Sequence, residues 1–382
     1  LREFDFFKET EMAARRFEIL HVFSTFATGG PQVRAAALLN RYGERWRHRI
    51  IAMDGNLACR ERLGPQVEVT FPQLDLKKGD TWHNLRVIRR YCREQPADAL
   101  VTSNWGSIEW AMANKLPPRL HHVHMEDGFG PDEAQGQKRQ RILMRRLVLR
   151  RSEIILPSRL LLGYARDLWK LPARRLHYLP NGLDLARFRP DGPRAEIGVP
   201  GEGPLIGTVA ALRPEKNIGR LLRAAALLRD RGVRFRLVVI GDGGSRPELE
   251  ALIAQLSLGD RVLFPGHVPE PAAAYRAMDV FALSSDTEQM PFSVMEAMAA
   301  GLPVASTAVG DVPVMVAEEN RPFVVPKEEA ALADALAGLL DDAALRARLG
   351  AANRAKAEQD YDQEVMFAAY AGLIEGKAVS GR

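Results

Sequence analysis

Cysteine is nearly absent, with only Cys59 and Cys92 in 382 residues. The two stand far from any metal-type spacing, so neither a zinc cluster nor a disulfide framework organises the chain, and a reducing compartment suits it. Long apolar runs are lacking too: nothing approaches the ~20 residues that a bilayer-crossing helix needs. The opening stretch from Leu1 to Arg16 is charged and has no continuous apolar segment, so no signal peptide is expected there. The first dozen residues are kept out of the fold argument. Also missing are an internal repeat and the Gly-x-Gly-x-x-Gly fingerprint of dinucleotide oxidoreductases. No aromatic-interleaved basic strand or nucleic-acid module is visible, which removes nucleic acid as an expected partner.

What is present fits a soluble globular chain, with 46% hydrophobic and 26% charged residues and length enough for two domains. The net charge of +5 hides an asymmetry, since residues 1–190 carry +12 and residues 191–382 carry −7. A basic half of this kind suits an anionic membrane surface or a phosphorylated acceptor. Residues 138–151 form the most basic stretch, with seven cations, no acid, and Ile142, Leu143, Leu147 and Leu149 as the apolar side of a helix. Such a helix can lie against anionic lipid; the alternative is a buried helix with a solvated cationic edge.

Alternation of short apolar strands with helical stretches argues for doubly wound α/β organisation. Strand-like segments occur at 17–23, 49–53, 67–69 and 99–102, with a helix at about 81–93. A Gly29-Gly30 pair follows the first strand and precedes a helix, where backbone can approach a phosphate closely. Taken alone, such a pair is as well explained by a turn. His121, His122 and His124 lie on another strand, with His122 and His124 on one face and His121 on the other. No further ligand cluster accompanies them, so no metal site is expected. Later strands are expected at 154–158, 205–209, 235–240 and 262–268, and helices at 330–340, 342–357 and 361–374.

The most informative stretch is 284–304. An apolar strand, Val280 to Leu283, runs into two serines, an acid and a turn, then Pro291 at the first position of a short helix closed by Gly301 and Pro303. Glu288 lies in the loop and Glu296 on the helix. Two carboxylates flanking a helix N-terminus suit a sugar that carries a phosphate: the free N–H groups favour the anion, and the carboxylates accept from hydroxyls. The alternative is a solvated loop acid and an exposed helix acid.

Glu288-x7-Glu296 running into Glu-Ala-Met-Ala-Ala-Gly-Leu-Pro-Val resembles the signature of glycosyltransferase family 4 and its GT-B relatives. The resemblance extends over residues 17 to about 375. It implies an α/β GT-B fold of two Rossmann-like doubly wound domains facing a cleft, divided as 1–190, 191–358 and a C-terminal helix, 359–382, crossing back to the first domain. Residues 191–203 read as the linker. By resemblance, Glu288 contacts donor-sugar hydroxyls, the backbone of Gln289, Met290, Pro291, Phe292 and Ser293 holds sugar and phosphate, and Glu296 binds the ribose. Arg213 and Lys216 match the family's diphosphate-binding Arg and Lys. Gly29 and Gly30 match its glycine loop over the donor, and His267 with Val268 the segment that meets the base. His124 is the choice for the histidine beside the donor sugar, with Glu126 and Asp127 as neighbours able to hold an acceptor hydroxyl. The sequence departs from the pattern at Gln289, Ala211 and Asn217, where relatives commonly carry glycine.

The implied activity is a retaining hexosyltransferase of EC class 2.4, metal-independent and without cofactor. It would move a hexose from a UDP- or GDP-linked donor to a glycan or lipid-linked acceptor in cell-surface polysaccharide or glycolipid synthesis. His124, Arg213, Lys216 and Glu288 are the expected catalytic set. The expected location is cytoplasmic, peripheral on the inner face of the plasma membrane through 138–151. Two other functions fit the same residues: a nucleotide-sugar 2-epimerase and a non-catalytic sugar-nucleotide-binding protein.

Overall fold

The structure, a computed structural model, describes residues 16–129, 133 and 136–377. The chain divides into two compact units. The first contains, in chain order, β1 (Phe17–Phe23), α1 (Gly30–Arg41), β2 (Trp46–Ala52), β3 (Val69–Thr70), α2 (Thr81–Glu94), β4 (Ala99–Ser103), α3 (Ile108–Ala113), β5 (His121–Met125), α4 (Arg139–Val148), β6 (Glu153–Leu156), α5 (Arg159–Gly163), whose first two residues group with the second unit together with Ser158, and β7 (Leu176–Tyr178). The second contains β8 (Leu205–Val209), α6 (Ile218–Asp230), β9 (Arg236–Ile240), α7 (Arg246–Gln255), β10 (Val262–Gly266), α8 (Ala272–Ala277), β11 (Val280–Leu283), α9 (Phe292–Ala299), β12 (Val304–Thr307), α10 (Val312–Met315), β13 (Val324–Val325), α11 (Glu329–Asp341) and α12 (Ala343–Asp360). The final helix is α13 (Gln363–Ile374).

Each unit holds one parallel sheet. The first runs β3-β2-β1-β4-β5-β6-β7 and the second β10-β9-β8-β11-β12-β13. Both therefore start from a central strand, wind outwards on one side, return, and wind outwards on the other. The reversal falls between β1 and β4 in the first sheet and between β8 and β11 in the second, which is where doubly wound sheets open a ligand crevice beyond their carboxyl ends. Register aligns those ends: Phe23 faces Ser103, and Ser103 faces Met125.

Strands covered on both faces by helices read as continuous apolar runs. In β11 all four residues are buried, and in β8 the first four. Leu332, Leu336 and Leu339 of α11 pack with Leu221, Leu222 and Ala225 of α6 on one face of the second sheet. Met295, Met298 and Ala299 of α9 fill the other. Each fully buried side chain of this size contributes roughly 1.5–3 kcal/mol. Asp80, Asn217 and Asp342 cap α2, α6 and α12 by accepting from backbone N–H groups three residues on.

The structure corrects the sequence expectations in three places. The second unit begins at Pro180, not at 191. Residues 191–203 are therefore not a linker: they lie inside the second unit, with Val199, like Leu183 and Phe188, buried in its core, and the Leu183 N–H donates to Tyr361 O at 2.8 Å. The terminal segment is assigned to the first unit only from Phe367 onwards. Finally, the basic stretch forms α4 and one 3₁₀ turn, Leu149–Arg151, and its apolar side divides: Leu149 is buried, while Leu143 and Leu147 are 54% and 55% exposed.

Candidate functional site

In the second unit the loops that follow β8 and β11 meet at the switch point. The β8 loop lies against the glycine turn after β9: the Leu212 N–H donates to Asp242 O at 2.9 Å, and a Cβ on Gly241 would stand 1.9 Å from Ala210 O. Gly241 has φ +138, so no other residue fits without moving the loop. Next come Arg213 and a single 3₁₀ turn, Pro214–Lys216. Asn217 then adopts the left-handed conformation, φ 42 and ψ 51, caps α6 through its side-chain oxygen, and donates its amide to Asp286 at 3.0 Å. Asparagine tolerates that backbone region, which accounts for its standing where relatives have glycine.

Lys216 and Glu288 meet. Lys216 Nζ donates to Glu288 Oε1 at 2.6 Å, and Ser285 Oγ donates to the same oxygen at 2.8 Å. Arg213, 66% exposed, stands in the same loop with its guanidinium 3.8 Å from Glu215. Arg220, bonded to Ser284 O at 2.6 Å and to Asp286 at 2.7 Å, ties the start of α6 to the β11 loop. The Glu288–Gln289 backbone is gripped from below by Gly310 and Asp311. The Asp311 N–H donates to Gln289 O at 2.9 Å, and a Cβ on Gly310 would lie 2.5 Å from the carbonyl oxygens of both Glu288 and Gln289.

Beyond Gln289, whose side-chain oxygen accepts from Ser158 Oγ at 3.2 Å, Met290 turns inward as a core residue, so it offers only backbone. Pro291 is the extended cap residue of α9 and not its first helical residue as expected; its ψ of 124 keeps it outside the helix. Phe292 and Ser293 therefore open α9, and no side chain caps its first N–H groups. One turn on, Glu296 Oε2 accepts from the buried Tyr275 hydroxyl at 2.7 Å. Burial holds the Glu296 carboxyl above its ordinary range, and the Tyr275 hydrogen bond acts in the opposite sense. His267 and Val268 lie just past β10, His267 exposed and Val268 half-buried. Lys216 and Glu288 thus meet just ahead of the uncapped start of α9, with Glu296 one turn into that helix, and a cation, helix N–H groups and carboxylates of this kind can take phosphate and hydroxyls.

In the first unit, Gly29 precedes and Gly30 begins α1 at the switch point. Gly29 is tight against Gln32: an added Cβ would be 2.8 Å from the Gln32 side-chain oxygen. His124 is wholly buried at the end of β5. Its Nδ1 shares the Thr102 hydroxyl, at 2.7 Å, with His122 Nε2, at 2.8 Å. His122 and His124 do share a face, and His121 is elsewhere, bonded to Leu373 O at 2.7 Å. His124 Nε2 lies 3.5 Å from Glu126, whose carboxylate also takes Arg145 Nε at 3.1 Å. Arg145 is itself fully buried, 5.0 to 5.3 Å from the ring centres of Trp105, Phe129 and Trp169, and is shared with Glu133. Asp127 pairs with Arg34 of α1 at 2.7 Å. His124 is enclosed, and so is Glu126 beside it, a burial the strand pattern did not convey. Among the described residues no group of three His, Cys, Asp or Glu side chains is placed to hold a metal ion.

Comparison with known proteins follows the same division. Residues 28–187 match the family model "Glycosyltransferase Family 4" and residues 193–356 match "Glycosyl transferases group 1". The EpsF protein of Bacillus subtilis is 34% identical over 201 residues, 49% of this chain and 50% of that protein. A D-inositol 3-phosphate glycosyltransferase of Nocardia farcinica is 32% identical over 295 residues, 69% of this chain and 64% of the relative. The chain therefore spans half to somewhat under two-thirds of these relatives. Among solved structures, the HepE protein of Anabaena in complex with UDP superposes with a TM-score of 0.78 at 21% identity, covering 94% of this chain and 100% of that one. With both halves matched in sequence and the paired Rossmann-like architecture shared with solved relatives, the chain belongs to the group 1, family 4 glycosyltransferases of the GT-B fold.

Proposed function

We propose that the protein is a retaining glycosyltransferase that moves a hexose from a nucleoside diphosphate sugar to a hydroxyl of a glycan or lipid-linked acceptor, in polysaccharide or glycolipid synthesis. The observation that carries this reading is the Lys216–Glu288 pair at the second sheet's switch point, followed by the uncapped start of α9 and by Glu296. The Anabaena relative was solved with UDP and with UDP-glucose, which supports a nucleotide-sugar donor.

The second unit takes the donor. Lys216 and Arg213 face the diphosphate and offset the charge that grows as the anomeric carbon–oxygen bond breaks, which lowers the barrier without a metal ion. Glu288 orients the sugar hydroxyls, and Glu296 the ribose. The acceptor oxygen forms its bond on the same face from which the diphosphate leaves, and the departing phosphate oxygen takes the acceptor proton, so configuration is kept. The acceptor falls to the basic first unit, at the inner face of a membrane.

The test is a thermal-shift panel with UDP, GDP, ADP and their common sugars in the presence of a chelator. A donor at about 100 times its dissociation constant stabilises by roughly 2.7 kcal/mol. With the responding donor and membrane-extracted acceptors, Lys216→Ala is expected to lower kcat by about 10²–10³, as removal of one charge-stabilising group does. Unchanged turnover in that variant sinks the mechanism. Isomerisation of donor with no acceptor present would indicate an epimerase instead.

A further inference from the structure

The seven cations of the basic stretch do not share one role. Arg145 and Arg141 turn inward to Glu133, Arg145 reaching Glu126 as well, at 3.0 to 3.3 Å. What remains outward is Lys138, Arg139, Arg146, Arg150 and Arg151, and between them the exposed pair Leu143 and Leu147, one helical turn apart. Among the described residues no carboxylate pairs with any of these four arginines.

A second segment joins this face. Residues 115–119 follow α3, which packs beside α4. Lys115 Nζ donates to Leu147 O at 2.7 Å, and Leu116, the next residue, is 51% exposed. Arg119 folds back onto Lys115 O at 2.8 Å. Lys115 is close enough to Arg119, Arg150 and Arg151 that all three, together with burial, depress its pKa. Like charges are gathered here around three leucines that leave about half of their surface exposed. The nearest acids are engaged elsewhere: Glu109 with Thr81 and Asn84, Glu153 with Arg175 and His177.

We propose that this face, formed by Leu116, Leu143 and Leu147 ringed by Lys115, Arg119, Arg146, Arg150 and Arg151, docks on an anionic lipid surface. Projecting leucines enter the boundary between headgroups and acyl chains, while the surrounding cations meet lipid phosphates without having to leave a carboxylate. A nucleic acid would match the charge and leave the leucines bare in water. The inference deepens the membrane part of the reading above and is independent of its chemistry.

The experiment is co-sedimentation of the protein with vesicles of phosphatidylcholine, with and without phosphatidylglycerol, at low and at physiological salt. The wild type is expected to bind only vesicles that contain phosphatidylglycerol. Reversing Arg119, Arg150 and Arg151 to Glu lowers partitioning by at least about 100-fold, taking each lost contact as roughly fivefold. The double variant L143E/L147E, both positions being exposed, loses binding while keeping every cation. No binding by the wild type, or equal binding by both variants, overturns the proposal. Donor-dependent thermal shifts are measured on the same samples. A variant that leaves the vesicles and still responds to donor separates this surface from the donor site. Vesicle binding without any donor response counts against glycosyl transfer and leaves the surface standing.

Discussion

Tyr275 shows how much a single unannounced side chain can carry. Its ring is buried in the second unit's core against Phe188 and Phe281, and only its hydroxyl is spent on function, as the donor to Glu296. Burial favours the protonated carboxyl at Glu296, and the hydrogen bond opposes that, so the bond helps to keep ionised the carboxylate proposed above to accept from ribose hydroxyls. Tyr275→Phe is expected to weaken nucleotide binding by about tenfold, at the low end of what a hydrogen bond to a charged group contributes. The loss should grow as pH falls, because Glu296 then protonates more readily. Calorimetric titration at mildly acidic and mildly alkaline pH checks it, and a 2′,3′-dideoxynucleotide should bind both proteins alike. Equal losses for both nucleotides would make Tyr275 a packing residue only.

At the scale of the element, the loop between β11 and α9 is held less by its own sequence than by what lies beneath it. Gly310 has φ +51 and leaves room for the carbonyls of Glu288 and Gln289. Gly310→Ala brings both left-handed strain and a clash with backbone, which costs on the order of 1–3 kcal/mol. It should also raise KM for the donor through displacement of Glu288, while Gly55→Ala, positive in φ but open in space, should lower stability and leave KM alone. A KM equal to wild type in Gly310→Ala would separate the grip from the site. The contrast marks what sequence could convey. Strand β8 was legible to the residue, and the spacing of Glu288 and Glu296 about a helix start was legible too, because those signals are local, while Lys216 stood out only through the family resemblance. Gly310, Ser285 and Tyr275 were not, since each acts on a partner fixed only by the folded sheet. The burial of His124 was hidden for the same reason: a strand pattern gives the face, while enclosure depends on the helices laid over it. The 191–203 segment misled because its glycines and prolines look like a linker, although Val199 belongs to the second unit's core.

On the whole molecule, the two units differ in their response to acid. The first contains His21 and His48, facing each other at 3.1 Å between buried strands, and the buried His122, which meets Ser152 Oγ at 2.6 Å. Burial holds all three in the neutral form; His48 is lowered to about 4, and His21 and His122 lie well below the ordinary value. Unfolding restores ordinary histidines near 6.5, so below that pH the unfolded chain binds more protons than the folded one. Stability is therefore full above about pH 6.5 and falls towards pH 4, by about 1.4 kcal/mol per pH unit for each group that stays neutral. Chemical denaturation followed through Trp46 and Trp110 of the first unit should show this slope between those limits. The triple variant with His21, His48 and His122 changed to Gln should flatten it. A slope unaffected by the substitutions would place the acid response elsewhere.

The last helix bears on how such a molecule is made. Residues from Phe367 on belong to the first unit, where Glu375 accepts from Trp46 Nε1 at 2.9 Å and from Arg45 at 2.5 Å, and Leu373 O meets His121. A ribosome delivers the whole of β1 to β7 long before it delivers these partners. The domain synthesised first is thus the one completed last. Until Glu375 arrives, a nascent first domain waits with its Trp46 indole unmated, in the company of a second domain that already has every strand it needs.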